Sequence, residues 1–129
     1  MELSNLECLL SLSTSWALFG LIWTIQLSHY PSFSYIDIQQ FNDFHGHHTR
    51  SITLIVMPLM LLELGLSIWM ARSFDMLWLI PLIMVILIWA STFFIQIPLH
   101  NQLASGKDMA AIKQLVQTNW IVLIQLVCT

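Results

Sequence analysis

The sequence predicts an all-α fold, a four-helix transmembrane bundle forming one domain, and three observations carry that expectation. Of 129 residues, 57% are hydrophobic and 9% charged, whereas an ordinary soluble domain carries about 25% charged residues. The few charges are gathered between apolar runs of spanning length, about 20 residues each. These runs also lack the polar–apolar alternation that strands of a membrane β-barrel show over about ten positions. Four Lys and Arg against seven Asp and Glu give a net charge of −3, so no basic patch exists for nucleic acid. The hydrophobicity excludes intrinsic disorder, whose signature is the opposite.

The first span is residues 9–28, free of charge and rich in Leu, Ile, Phe and Trp. The acidic start containing Glu2 and Glu7 lacks the basic region of a secretory signal, so the span is read as retained. A histidine-containing loop, residues 29–50, follows. The second span, 51–70, is interrupted only by Glu63, and Ala71-Arg72-Ser73-Phe74-Asp75 is a short turn. The third, 76–97, has no charge over 22 residues and is expected to end at Pro98. Asp108 is a candidate N-cap for a fourth helix, residues 109–129, which reaches spanning length only by including Lys113, Gln114 and Gln117. Lys113 would snorkel to the interface.

Four spans place both termini on one face and the 29–50 and 98–108 connections on the other. Arg50, Lys107 and Lys113 border the loop face against Arg72 beside the termini. The positive-inside rule then favours cytoplasmic loops, in a bacterial inner-membrane type of location. Cys8 and Cys128 fall near the terminal face, where a disulfide or two separate thiols are both open readings. Trp69 and Trp78 flank the short turn as an interfacial belt. The seven Met read as gap-filling core, and Tyr30-Pro31 with Tyr35 as interfacial loop.

Helical periodicity collects the polar residues into one stripe per span. The stripes are Ser11, Ser15, Ile22, Gln26 and His29; His45, His48, Ile52, Ile55, Leu59 and Glu63; Trp89, Thr92, Gln96 and His100; and Gln114, Thr118, Ile121 and Gln125. Hydrocarbon makes unpaired polar groups costly, so all four stripes are expected to face one another. A faint echo links Ile25-Gln26-Leu27 before His29 with Ile95-Gln96-Ile97 before His100.

All five histidines lie near the loop face. His45 and His48, at i and i+3, share a helix face, and His100 approaches from the third span, as imidazole ligands of one metal would. Fe, Cu, Zn or Mn would suit such a set, and two axial imidazoles would suit haem. A cofactor there would also meet His29, Asn101 and Asn119. His47 points away from His45 and His48, with Asp43 one turn earlier on its side. The alternative reading is interfacial histidines bonded to neighbours and lipid headgroups. Glu63 is the one ionisable residue deep within a span, about 20 Å beyond Arg50 at 1.5 Å per residue. It is by default a functional candidate, as proton relay or substrate hydrogen-bonder. Otherwise it is a neutral carboxyl bonded to Ser, Gln or a carbonyl freed by Pro58.

Pro98-Leu99-His100-Asn101-Gln102-Leu103, followed by Thr118-Asn119-Trp120, resembles the anthrone-oxygenase-like family of small four-helix membrane proteins. His100 stands where that family usually has Asn, and no Arg follows Asn119. The resemblance covers the last third of the chain. It implies oxygenation of a polyketide-like aromatic or a related membrane reaction, with Pro98, Asn101 and Asn119 bracing the bundle beside a loop-face pocket.

Together these observations lead to a small membrane oxidoreductase or oxygenase-like protein, with His45, His48 and His100 as metal or haem ligands and Glu63 and Gln96 lining the catalytic pocket. Two alternatives stand beside it: a non-catalytic accessory or assembly subunit, and a small proton-coupled transporter using Glu63. The expected partners are the lipid bilayer and either a second copy or another membrane subunit.

Overall fold

A computed structural model describes residues 5–72 and 75–127. It is all helix: α1 (Asn5–Ser32), α2 (Ile38–Ala71), α3 (Met76–Ala104) and α4 (Met109–Val127). Each helix packs on the next and α4 closes the ring against α1, while the backbones of the diagonal pairs α1–α3 and α2–α4 do not approach closely and meet only through side chains such as Tyr30 and His100. Short linkers join antiparallel neighbours, as in other four-helix bundles. The first three helices are long and apolar enough to cross a membrane, and together they make this a multi-pass integral membrane protein. The polar residues of α4 (Lys113, Gln114 and Gln117) are exposed, and its opposite face packs through Ala111, Ile112, Leu115, Asn119 and Val122. Leu54, Ile83 and Phe94 stand 73%, 53% and 81% exposed on the outside, an apolar surface that suits lipid.

The loop expected over residues 29–50 is mostly helix. Helix α2 is continuous from Ile38, through Gly46 and Pro58, to Ala71. Its 34 residues span about 51 Å at 1.5 Å per residue, against about 30 Å of hydrocarbon. The helix thus outruns the hydrocarbon thickness, and His45, His47 and His48 lie in its N-terminal third. Tyr30, expected in an interfacial loop, is helical and buried, whereas Tyr35 is exposed.

Pro98 does not end the third helix. A π-turn over Thr92–Gln96 precedes it, with the Ile97 N–H bonded to the Thr92 carbonyl, and the helix resumes to Ala104. Helix α1 repeats the device. Its π-turn is Ile25–His29, the Tyr30 N–H bonds the Ile25 carbonyl, and Pro31 follows. Proline lacks an N–H and its ring clashes with the carbonyl four residues back. Widening the turn ahead of it lets the helix continue. The echo noted in the sequence is therefore a repeated structural unit, and each π-turn places a buried glutamine, Gln26 or Gln96.

Asp108 caps α4 as expected, with its Oδ1 accepting from the Ala110 and Ala111 N–H groups at 2.9 and 3.3 Å. Lys107 Nζ donates to the Ser34 and Ile36 carbonyls at 3.0 and 2.6 Å, tying the two loop-face linkers together. At the terminal face Trp69 Nε1 donates to Glu7 Oε1 at 2.7 Å, and the Arg72 guanidinium lies 3.5 Å from the Trp69 ring centroid.

Candidate functional site

The polar stripes meet inside the bundle. Ser15 Oγ donates to Glu63 Oε1 at 2.5 Å, joining α1 to α2. Gln26 Nε2 donates to the Val116 carbonyl at 3.0 Å, and Asn119 Nδ2 donates to Gln26 Oε1 at 2.7 Å. Gln96 Nε2 donates to Thr118 Oγ1 at 3.2 Å, and Ser91 Oγ lies 3.2 Å from Gln125 Oε1. Two assignments change. Ile55, placed on the inner stripe of α2, is 51% exposed. On α4, Gln114 and Ile121 face outward while Asn119, outside the predicted stripe, is 2% exposed. The α4 stripe was centred one position off, because Thr118 and Gln125 mark its α3-facing edge rather than its centre.

The loop end holds a cluster of rings. His45 Nε2 lies 3.0 Å from His100 Nδ1, and Tyr30 Oη lies 3.3 Å from His100 Nε2. Both nitrogens of His100 are thus engaged, and Tyr30–His100–His45 is a hydrogen-bonded chain across α1, α3 and α2. His48 and His29 have ring centroids 5.0 Å apart, and His48 lies 6.5 Å from His100. Phe33 and Phe41, both fully buried, form the apolar floor. Phe41 stacks on His45 at 5.7 Å, and Phe33 meets His48 edge-on at 5.1 Å. Among the described residues no group of three or more His, Cys, Asp or Glu is arranged to hold a metal ion. As arranged, His100 would have to release a hydrogen bond to bind one. His47, Asp43 and Asn101 are exposed, outside the cluster.

A neutral imidazole donates from one nitrogen and accepts at the other. The chain therefore has two consistent polarities. In one, Tyr30 O–H donates to His100, whose Nδ1–H donates to His45. In the other, every donor and acceptor is reversed. Passing one proton along the chain exchanges the two.

Glu63 sits between two cavities. The terminal-end cavity, about 620 Å³, is lined by Cys8, Ser15, Trp16, Glu63, Ser67 and Trp78, among others. The loop-end cavity, about 250 Å³, runs past Met60, Trp89 and Gln96 and is lined by Glu63 as well as by Tyr30 and His100. Among the described residues its wall holds two buried polar atoms without protein partners, the donor Trp89 Nε1 and the acceptor Gln96 Oε1. Such orphaned groups mark positions where water completes the hydrogen bonding. None of the four Lys and Arg lines either cavity.

The structure thus brings together His45, His48, His100 and His29 at one end, sets Glu63 apart from them, and places Gln96 and Asn119 in the cavity between. Sequence reasoning missed Tyr30, Phe33 and Phe41. The signal for Tyr30 was available, since it lies one helical turn beyond Gln26 on the α1 polar stripe. Cys8 lines the terminal-end cavity, and Cys128 lies outside the described residues. Comparison with protein-family models, curated proteins and solved structures finds no match to this chain.

Proposed function

We propose that this protein is a small proton-coupled membrane transporter in which Glu63 is the proton-binding group. One observation carries the reading: Glu63 lines both cavities. A carboxyl in that position exchanges protons with the terminal face through one cavity and with the loop face through the other. Water bonded to Trp89 Nε1 and Gln96 Oε1 would bridge Glu63 to Tyr30, and the Tyr30–His100–His45 chain would carry the proton onward.

The test is the substrate-free proton leak that access to Glu63 from both cavities allows, measured into proteoliposomes containing a pH-sensitive dye and driven by a potassium diffusion potential. The wild type is expected to conduct, Glu63→Gln to fall to the background of empty liposomes, and Glu63→Asp to retain part of the flux. Equal flux in wild type and Glu63→Gln would refute the reading and favour an accessory subunit whose polar groups only pack helices.

Convergence of four imidazoles supports a second reading, a metal- or haem-dependent oxidoreductase. In it His45, His48 and His100 bind Fe, Cu, Zn, Mn or haem, with His29 and Asn119 nearby and Glu63 and Gln96 toward the substrate. The likeness to anthrone-oxygenase-like proteins would fit such chemistry and a bacterial inner membrane. Stoichiometric metal or a haem spectrum in purified protein, lost in His45→Ala/His48→Ala, would establish it. A metal-free protein without spectral response to added haem would dismiss it.

A further inference from the structure

The terminal-end cavity is larger than a path for protons requires. We infer that it binds a lipophilic organic cation, with the positive centre against the Glu63 carboxylate and the apolar body against Trp16, Phe19 and Trp78. This rests on the reading of Glu63 as a proton-exchanging group and adds the class of substrate exchanged.

Size, charge and access each point the same way. A volume of about 620 Å³ falls within the roughly 300–1,000 Å³ of sites that enclose drug-sized molecules. Among the described residues Glu63 is the one carboxyl in the lining, and no Lys or Arg joins it there. A charge in apolar surroundings is costly until it is paired. Unbound, the carboxyl is neutralised by its proton; once that proton leaves, no Lys or Arg in the lining pairs with the carboxylate, and the incoming cation supplies the counter-charge. A small, strongly hydrated ion would have to shed its water to enter, whereas a quaternary ammonium or phosphonium holds little. The electron-rich faces of Trp and Phe attract such cations further. Access is lateral: the α1 and α3 backbones do not approach closely, both helices line the cavity, and Leu12 and Trp16 in its wall are 57% and 64% exposed.

Binding is an exchange in which no electrons move. The Glu63 O–H bond breaks, the proton passes to water in the loop-end cavity, and the carboxylate left behind pairs with the cation. One proton leaves for each cation bound. Ser15, already bonded to Oε1, steadies the carboxylate. Among the described residues the Cys8 thiol on α1 is the only other titratable group lining this cavity; α3 presents Trp78, Pro81 and Val85, and α4 presents Val127.

The experiment measures tetraphenylphosphonium binding to the full chain in phosphatidylcholine nanodiscs, by tryptophan fluorescence and by proton release in weak buffer. Triphenylphosphine oxide serves as the uncharged analogue. Saturable phosphonium binding is expected, with release of about one proton and affinity falling about tenfold per pH unit where Glu63 is protonated, as linkage between the two ligands requires. The oxide is expected to bind at least about tenfold more weakly, because it gains no ion pair. Glu63→Gln should weaken phosphonium binding by a similar factor and release no proton. Equal affinity for phosphonium and oxide in the wild type overturns the inference whatever the variant's folding. Absence of phosphonium binding with Glu63-dependent proton flux intact overturns the cation site alone. Phosphonium binding with proton release but no transmembrane flux supports the site and overturns the transport reading alone.

Discussion

The Gln26–Asn119 tie offers a quantitative test of how this bundle is held together. Both side chains are buried, at 3% and 2% exposure, and they join α1 to α4 through Asn119 Nδ2 donating to Gln26 Oε1 at 2.7 Å. Gln26 Nε2 makes a second bond, to the Val116 carbonyl at 3.0 Å. Gln26→Leu keeps the volume but removes both bonds and leaves the Asn119 amide short of its acceptor. Asn119→Leu leaves Gln26 Oε1 short of its donor. An orphaned buried polar group costs about 1–3 kcal/mol, and measured interhelical bonds in a membrane protein average about 0.6 kcal/mol, up to about 1.7. Each single variant should therefore lose about 1–2 kcal/mol. The double variant leaves no orphan in the pair, and replacing both partners by apolar groups is close to neutral. The single losses sum to about 2–4 kcal/mol, so a near-neutral double variant should be more stable than that sum by about 2–4 kcal/mol. Unfolding in mixed detergent–lipid micelles, followed by circular dichroism, gives all four corners of the cycle. Additivity within about 0.3 kcal/mol would show that the two side chains do not act as a pair, and the inward convergence of the stripes would lose its best-buried example.

Gly46 lies mid-helix, with open space where a Cβ would stand. Gly46→Ala should raise thermal stability by about 0.5–1 kcal/mol, and a loss instead would mean that α2 does not continue through this position. Asp108→Ala removes the cap of α4 and the acceptor for Gln102 Nε2 at 2.9 Å, and should cost about 1 kcal/mol in the same unfolding assay. Tyr30→Phe keeps the ring but strips the hydroxyl from His100 Nε2. It should cost about 1 kcal/mol in stability and slow proton flux in proteoliposomes, whereas unchanged flux would remove Tyr30 from the path.

The architecture was legible because hydrocarbon leaves few options. Charge-free runs fixed the helices, and the cost of solitary polar groups turned Ser15, Gln26, Glu63 and Gln96 inward. Boundaries were harder wherever proline and glycine signals competed with tertiary context. Pro98 reads locally as a helix stop, but the π-turn before it absorbs the clash, and nothing in the composition of Thr92–Gln96 announces that widening. Gly46 likewise did not break α2, since its helical neighbours on both sides pack against α1 and α3. The histidine cluster was visible as residues near one face, but its chemistry was not. That chemistry depends on Tyr30 and His45 occupying both nitrogens of His100, a matter of interatomic distances that periodicity cannot supply. The cavities on either side of Glu63 come from the spacing of the helices, which no single-helix pattern encodes.

The central claim is that Glu63, deep among apolar helices, exchanges its proton with water through the protein interior. Isotope-edited infrared spectroscopy of protein carrying labelled glutamate, in lipid, addresses it directly, with Glu63→Gln subtracted to remove the signals of Glu2 and Glu7. A protonated-carboxyl band assigned to Glu63 should lose intensity as the bulk pH rises and shift in heavy water, with slower exchange in Tyr30→Phe. A Glu63 band indifferent to both bulk pH and heavy water would show a sealed, purely structural carboxyl and contradict the account.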